Sequence, residues 1–350
     1  MTHRHSRVGG NTSTPSVTRV MAQVLTALLP GILTHVWLFG PGIVVSLVLC
    51  SVFGLAFEAA VLRLRRYPIK PFLSDGTTLV TAALLALTLP TLMPWWIYAV
   101  GMLFAIVVAK HLYGGLGQNT FNPAMLGFAV LIVSFPAQIN AWPAPLALAA
   151  NAPSLSDILA ITFGGFGDMS HLSPDAYTEA TPLDSLKAHL RAGHDAASLL
   201  GHNLIPTLAA RDLVALAYLI GGVYLLAQRI ITWHIPIAFL AGMGGIAGLL
   251  YLIDPTASAG PLFHLLIGGS LLGAFFIATD PVSAANTPLG KILYAGLAGI
   301  LVVLIRSFGS FPDGIAFAVL IMNAAAPLID AYTQPKVFGH SHRRRPGDTQ

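Results

Sequence analysis

The segment FNPAMLGFAVLI at residues 121–132 returns near the end of the chain as FPDGIAFAVLIM at residues 311–322. Each copy opens on an aromatic residue and a proline-containing turn, and each continues into an apolar run. A unit that recurs in corresponding places of two halves is typical of an internal structural repeat. We therefore expect two related halves. The composition indicates whether they fold in water or in a membrane.

The composition indicates a membrane protein. Hydrophobic residues make up 55% of the 350 residues and charged residues only 9%, and the mean hydropathy is +0.75. Soluble domains carry roughly 25% charged residues. A chain so poor in charge cannot cover a water-facing surface, so we predict an all-α polytopic membrane protein. The net charge of +4 then reflects how basic residues are distributed between the two sides of the membrane, and it does not indicate nucleic-acid binding.

Ten segments are predicted to cross or enter the membrane. A spanning helix needs about 20 mostly apolar residues, and fewer where it is broken or re-entrant. The third and fifth segments are short and end at Pro90 and Pro136. The ten segments are 21–39, 41–62, 76–92, 94–111, 121–136, 212–231, 235–253, 261–279, 289–306 and 313–331.

The repeated unit opens the fifth segment and then the tenth. The two segments are five apart in chain order. Because successive segments alternate in direction and five is an odd number, the two copies cross the membrane in opposite directions. The sequence therefore predicts a five-plus-five inverted repeat, with halves at 21–136 and 212–331. Between them lies the only long extramembrane connection, residues 137–211, with a possible amphipathic helix near 183–200.

Basic residues predict the orientation. With the N-terminus inside, 14 of the 18 Lys and Arg residues face the cytoplasm and four face out, as the positive-inside rule requires. The tails 1–20 and 332–350 are then cytoplasmic, and the acidic loop 137–211 is extracytoplasmic. The first twenty residues have no apolar core, so we expect the first membrane segment to act as the insertion signal. The four outward residues are Lys187, Arg191, Arg211 and Arg306.

Five polar residues at segment ends have two open interpretations. Asp75, Asp280 and Asp313 each precede Gly or Pro, a pattern typical of turns and helix caps, but their carboxylates could equally line an ion or cofactor path. Asn119 and Asn122 could do similar work through amide groups. They lie in GGLGQNTFNPA (114–124), whose backbone groups need protein or water partners at membrane depth.

Other polar residues in the spans have plainer interpretations. Glu58 lies near the basic run that starts at Arg63, and we expect a surface carboxylate that snorkels to the interface. His35 and His264 are expected to be satisfied packing histidines. Cys50, the only cysteine, is expected to be a small buried hydrophobe, because one thiol can neither form an internal disulfide nor hold an iron–sulfur cluster.

Catalytic and metal-binding patterns are missing from the sequence. His189, His194 and His202 lack tight ligand spacing, so no metal site is expected. No glycine-rich phosphate loop follows a strand, and neither HExxH nor a nucleophile–His arrangement is readable. Any redox chemistry must therefore come from a bound cofactor.

Five long blocks in the same order carry a family resemblance over nearly the whole chain. The sequence resembles the D component of the Rnf (Rsx) ion-translocating electron-transport complex and, more distantly, the B component of the sodium-translocating NADH:quinone reductase. The blocks are DGTTLVTAALLALTLP (75–90), AKHLYGGLGQNTFNPAMLGFAVLIVSFP (109–136), RIITWHIP (229–236), FIATDPVSAANTPLGK (276–291) and IRSFGSFPDGIAFAVLIMNAAAPLIDAYTQPKVFGH (305–340).

The resemblance implies a bacterial inner membrane, ten helices in a urea-transporter-like inverted repeat, and a flavin. In this family an extracytoplasmic threonine in a loop resembling D-x-x-[ST]-G-A-T carries FMN through a phosphoester bond that a flavin transferase makes. The similar stretch here is DAYTEAT (175–181), with Glu179 in place of the expected glycine. The resemblance thus implies covalent FMN on Thr181, with Thr178 as the alternative acceptor, and suggests a second, non-covalent flavin such as riboflavin.

The residues around Thr181 also predict a helix start. Thr181 suits the N-cap, Pro182 the first helical position and Asp184 the first turn. The two interpretations are compatible, because an FMN phosphate on this threonine would lie near the positive end of a helix dipole.

We therefore predict a membrane subunit that relays electrons between NADH and ferredoxin, or a redox partner, coupled to Na⁺ or H⁺ movement. The NADH and iron–sulfur sites would lie on partner subunits. Two alternatives stay open: a stand-alone channel or carrier for a small solute, which needs neither flavin nor partners, and a membrane scaffold of the complex whose flavin site is lost at Glu179.

Overall fold

The computed structural model describes residues 16–148, 153–164, 178–196, 198, 205–311 and 313–335, without the side chains of 205–207. Most of both predicted tails, His202, and Asp175 to Tyr177 of the acceptor motif lie outside the described residues.

Helices dominate the described residues, which contain no strand, only an isolated antiparallel bridge between Pro143 and Thr178. Two helices end in π-helical turns. The described helices are α1 (Val17–Phe39), α2 (Gly42–Leu64), α3 (Ile69–Leu73), α4 (Thr77–Thr88), α5 (Trp95–Leu103, then π-helical over Phe104–His111), α6 (Pro123–Ser134), α7 (Pro136–Ile139), α8 (Leu155–Phe163), α9 (Pro182–Arg191), α10 (Ile205–Ala227), α11 (His234–Ile253), α12 (Pro261–Leu266), α13 (Ser270–Leu272, then π-helical over Gly273–Ile277), α14 (Pro288–Phe308) and α15 (Ile315–Tyr332).

The predicted all-helical membrane class is confirmed. Six described helices, α1, α2, α10, α11, α14 and α15, are long and apolar enough to cross a membrane. The predicted third, fourth and fifth segments correspond to the shorter apolar helices at 77–88, 95–111 and 123–134. The amphipathic helix expected over 183–200 is shorter than predicted, because α9 ends at Arg191 and Gly193 follows with φ +80°.

The predicted eighth segment, 261–279, is broken in the structure. Gly268 and Gly269 adopt φ of +71° and +70°, which glycine tolerates without steric cost, and they separate α12 from α13. The break frees carbonyl oxygens that would be costly to leave unpaired at membrane depth. Arg306, which we assigned to the extracytoplasmic surface, is instead buried and donates to the carbonyls of His264 and Gly268 at 2.9 and 3.1 Å.

A polar cap followed by proline starts two of the apolar helices. Asn122 accepts a hydrogen bond from the Met125 N–H at 3.1 Å, and Pro123 occupies the first position of α6. Thr287 and Pro288 start α14 in the same way. Proline has no N–H to leave unpaired in a first turn and its φ already suits a helix, so these starts follow directly from the sequence.

Glycines bring the long helices into close contact. A Cβ on Gly221 would lie 1.9 Å from the carbonyl oxygen of Ala27, where α10 crosses α1. A Cβ on Gly242 or Gly299 would lie 2.2 or 2.1 Å from a carbonyl oxygen across the α11–α14 contact. Small residues at such contacts allow membrane helices to pack by van der Waals attraction.

Glu58 does not snorkel, contrary to our expectation. Its side chain is 1% exposed, and both carboxylate oxygens accept hydrogen bonds from Lys110 Nζ at 2.8 and 2.9 Å. Lys110 also donates to the hydroxyls of Thr77 and Thr78. Lys110 lies in the π-helical turns of α5 against α2, so the two charges neutralise each other inside the protein and do not need the interface.

Candidate functional site

Thr181 is the N-cap of α9, as its sequence context predicts. Its hydroxyl accepts a hydrogen bond from the Asp184 N–H at 3.1 Å and donates to Asp184 Oδ2 at 2.6 Å. The side chain is half-buried. Thr178, the alternative acceptor, lies three residues earlier in the bridge to Pro143. The hydroxyl of Thr181 is therefore held in place by one carboxylate at a helix N-terminus.

Side-chain contacts hold α9 against the membrane helices. Leu183 and Leu186 are buried, and Lys187 donates to the carbonyl oxygens of Gly309 and Phe311 at 2.8 and 2.6 Å. Burial, together with the charge of Arg191, lowers the pKa of Lys187, while Asp184 acts in the opposite direction. The loop segment that carries Thr181 is therefore fixed to the connection between α14 and α15.

Thr181 lies at the lining of a large cavity, which we call the Thr181 cavity. It encloses about 1240 Å³ of space between atoms, its open mouth included, and apolar residues such as Phe39, Phe128 and Tyr218 form most of its wall. A cavity with an apolar wall and a few polar groups is typical of a site for an aromatic cofactor. Its polar lining residues are His35, Thr88, Asn140, Thr181, Asp184, Arg211 and Asp313.

Two of these polar side chains have buried nitrogens without a partner. Nε and Nη2 of Arg211 and Nε2 of His35 are buried and make no hydrogen bond in the described part of the chain. His35 is therefore not the satisfied packing histidine that we expected, and neither is His264, whose Nδ1 is also buried and unpaired there.

A second cavity, which we call the Lys110 cavity, opens at the other end of α1. It encloses about 940 Å³ including its mouth. Val20 and Met21 line it at the start of α1, whereas His35 and Phe39 line the Thr181 cavity near the end of that helix. Fifteen residues of helix span about 22 Å, so the two cavities lie near opposite ends of the helix bundle.

The five predicted path residues do not come together in one place. Asn119, Asn122 and Asp280 line the Lys110 cavity, Asp313 lines the Thr181 cavity, and Asp75 lines neither.

Each of the five also makes bonds of the turn-and-cap kind. Asp75 accepts from the N–H and the hydroxyl of Thr77, and Asn119 donates to the Phe121 carbonyl oxygen. Asp280 accepts from the Ser283 hydroxyl, and Asp313 accepts from the Gly314 N–H at 2.8 Å.

Asn122 does more than cap α6. Its amide Nδ2 donates to the Ile277 carbonyl oxygen at 3.1 Å, across 155 positions of sequence. Asn122 lines the Lys110 cavity and Ile277 lines the Thr181 cavity, so this hydrogen bond joins the linings of the two cavities.

Sequence reasoning missed two cations that line the cavities. Lys110 is buried and two guanidinium nitrogens of Arg211 are buried, whereas the orientation count placed Lys110 on the cytoplasmic side and Arg211 outside. The available signal was that each directly follows apolar residues, AIVVA before Lys110 and LAA before Arg211, where a charge needs partners inside the protein. Among the described residues there is no group of three or more His, Cys, Asp or Glu side chains placed to hold a metal ion.

Comparison with known proteins agrees with the resemblance in the sequence blocks. Residues 11–339 match the family model described as the NQR2, RnfD, RnfE family. The chain is 47% identical over 331 residues to a protein of Escherichia fergusonii named as the D component of an ion-translocating oxidoreductase complex, covering 92% of this chain and 94% of that relative. A protein of the same name from Citrobacter koseri is 48% identical, with 92% of this chain and 95% of the relative covered.

Proposed function

This chain belongs to the NQR2, RnfD, RnfE family, and from that premise we propose that it is a flavin-bearing membrane subunit of a bacterial ion-translocating oxidoreductase complex. It carries FMN on Thr181 and relays electrons between NADH and ferredoxin, or a redox partner, coupled to Na⁺ or H⁺ movement. NADH-binding and iron–sulfur subunits are its partners, since one buried cysteine cannot ligate a cluster.

The position of Thr181 is the observation that carries the proposal. Its hydroxyl stands at a helix N-terminus on the lining of the Thr181 cavity. A flavin joined there through its phosphate would place that phosphate at the positive end of α9 and its ring against the apolar wall. The residues present therefore fit the group that the family implies.

Asp184 suits the attachment step. When a flavin transferase forms the phosphoester, the Thr181 oxygen bonds to phosphorus, the bond from that phosphorus to its leaving group breaks, and the hydroxyl proton must go to a base. Asp184 Oδ2 already accepts that proton in a hydrogen bond of 2.6 Å. A positioned carboxylate is a suitable acceptor for such a proton.

The Lys110 cavity is the site that we propose for the second, non-covalent flavin. Its lining combines Phe275 and Phe276 with the polar side chains of Thr81 and Asn119, a mixture that suits a flavin's aromatic ring and polar edge. Because the Asn122–Ile277 hydrogen bond joins the two cavity linings, two flavins there would carry electrons between opposite ends of the bundle. The bound groups supply the redox chemistry, and the chain fixes their separation.

We also propose the inverted, urea-transporter-like organisation in the inner membrane, with both termini cytoplasmic and loop 137–211 periplasmic. The order of helices supports it, because α1, α2 and α4 are followed in the second half by α10, α11 and the interrupted segment of α12 and α13. Both α4 and α13 begin directly after a glycine of positive φ, Gly76 at +83° and Gly269 at +70°.

The experiment is in-gel flavin fluorescence after co-expression with a flavin transferase. The wild-type band is expected to fluoresce under ultraviolet light after denaturation, Thr181→Ala to be dark, and Thr178→Ala to stay bright. A dark wild-type band, with the transferase active on another acceptor, would sink the proposal and favour the channel or the unflavinylated scaffold. A bright Thr181→Ala with a dark Thr178→Ala would move the flavin to Thr178.

A further inference from the structure

We propose that His35 and Arg211 form the donor side of a flavin-ring subsite in the Thr181 cavity, where they hydrogen-bond the oxygen- and nitrogen-rich edge of the isoalloxazine ring. The inference rests on the function proposed above and goes further, because it assigns two residues that set the redox potential of the flavin.

The first observation in support of this subsite is a set of buried nitrogens that make no hydrogen bond. Three buried nitrogens in one cavity, Nε and Nη2 of Arg211 and Nε2 of His35, have no partner in the described part of the chain. Buried donors without a partner are costly and uncommon in native proteins. Their presence in one cavity indicates a ligand that offers hydrogen-bond acceptors.

Aromatic contacts hold both side chains in position. The guanidinium carbon of Arg211 lies 5.4 Å from the ring centre of Phe39 and 5.9 Å from that of Trp142. The ring of His35 packs on Phe39 with a centroid distance of 4.9 Å. A cation held over aromatic faces keeps its charge and orientation while its N–H groups stay available. Both donors are therefore preorganised by the same phenylalanine.

The other charged groups of the cavity already have partners. Asp184 accepts from the Thr181 hydroxyl, and Asp313 accepts from Arg306 at 2.9 Å. Glu179 and Asp184 are the carboxylates whose charges act on Arg211, yet neither occupies its Nε or Nη2. In the described part of the chain these two nitrogens of Arg211 therefore face no acceptor, and the carbonyl and N1 edge of a flavin ring would supply one.

The chemical consequence is a flavin that is easier to reduce. Two-electron reduction places negative charge on the N1–C2=O edge of the ring, and a fixed guanidinium nearby stabilises that charge more than it stabilises the oxidised ring. Arg211 and His35 bind the flavin ring and tune its potential, and they transfer neither electrons nor protons in this scheme.

The test measures the midpoint potential and visible absorption spectrum of the covalently attached flavin in the purified full-length chain. Arg211→Met is expected to shift the potential to more negative values and to change the spectrum. If the protein's preference for reduced over oxidised flavin falls tenfold, the midpoint potential of the two-electron couple falls by about 30 mV. Arg211→Lys, which keeps the charge, should lie closer to wild type, and His35→Leu should alter the spectrum with a smaller shift.

Arg191→Met is the matched control, since Arg191 is exposed on α9 and its removal takes away the same charge outside the cavity. Both readouts are obtained per attached flavin, so partial loading does not affect them. A wild-type potential and spectrum in Arg211→Met and His35→Leu, with flavin attached, would overturn the inference while leaving the flavin on Thr181 intact. A wild type without covalent flavin would overturn the function itself.

Discussion

Thr181 combines two roles that its neighbours impose on it. Pro182 starts α9 and fixes the backbone, so the threonine side chain must cap the helix. The same geometry turns its hydroxyl toward Asp184 and sets it on the cavity lining. Helix capping alone does not require a large apolar cavity beside the threonine. We therefore assign a chemical function to Thr181 in addition to its role as a cap.

Replacing Asp184 with alanine is expected to reduce flavin loading on Thr181 strongly. The change removes the acceptor of the Thr181 hydroxyl proton, and the loss of this N-terminal interaction costs about 1 kcal/mol of helix stability. Loading is measured by in-gel fluorescence relative to protein stain. Asp157→Ala is the matched control, because Asp157 makes the same capping interaction with Ser154 on α8, and loading equal to that control would contradict a role for Asp184.

Replacing Glu58 with alanine is expected to destabilise the protein by about 3–5 kcal/mol, because Lys110 would remain as an unpaired buried charge. The measurement is thermal unfolding in detergent, followed by tryptophan fluorescence. The double variant Glu58→Met with Lys110→Met removes both charges and should recover most of the lost stability. A single variant as stable as wild type would show that water reaches Lys110 freely.

Among the helices, the sequence predicted a local start better than continuity. Thr181–Pro182 starts α9 where its cap chemistry predicts, because that signal is local. The break at Gly268 and Gly269 escaped prediction, since it depends on Arg306, which lies nearly forty positions later and satisfies the freed carbonyls. Glu58 was misplaced for the same reason, because its partner Lys110 is 52 positions away.

Helix contacts predict a glycine-specific effect on stability in the second half. Gly242→Ala and Gly299→Ala should each force α11 away from α14, because the new methyl group would lie 2.2 or 2.1 Å from a carbonyl oxygen. We expect each variant to lose at least about 2 kcal/mol, in the range typical of overpacking, as a lower unfolding temperature. Gly245→Ala on the same helix is the control, since nothing lies within 4 Å of its Cβ position, and equal effects at the three positions would contradict this contact.

At the scale of the whole molecule, composition was enough to predict a helical membrane protein, and motif order was enough to indicate the family. The two cavities could not be predicted, since each is lined by residues from both halves, such as His35 with Asp313 and Lys110 with Asp280. These residues come together only when the two halves pack, and no local sequence pattern indicates that packing. The proposed acceptor threonine could be named because the motif that contains it is continuous in sequence.

The proposed orientation predicts which positions react with a membrane-impermeant thiol reagent in intact cells. Cys50 is buried, so the background should be low. Ser154→Cys, at the exposed start of α8 in loop 137–211, should be labelled from outside. Arg65→Cys, at the exposed end of α2, should react only after the membrane is opened. The reverse pattern would invert the topology and place Thr181 in the cytoplasm.

Covalent flavin on Thr181 is tested by peptide mass spectrometry of the protein purified from cells that carry the whole complex and its flavin transferase. The peptide containing Thr181 is expected to carry the mass of FMN less one water, with fragment ions that locate it on Thr181. Recovery of that peptide only in unmodified form, or with the flavin on another residue, would show that Thr181 is not the flavin acceptor.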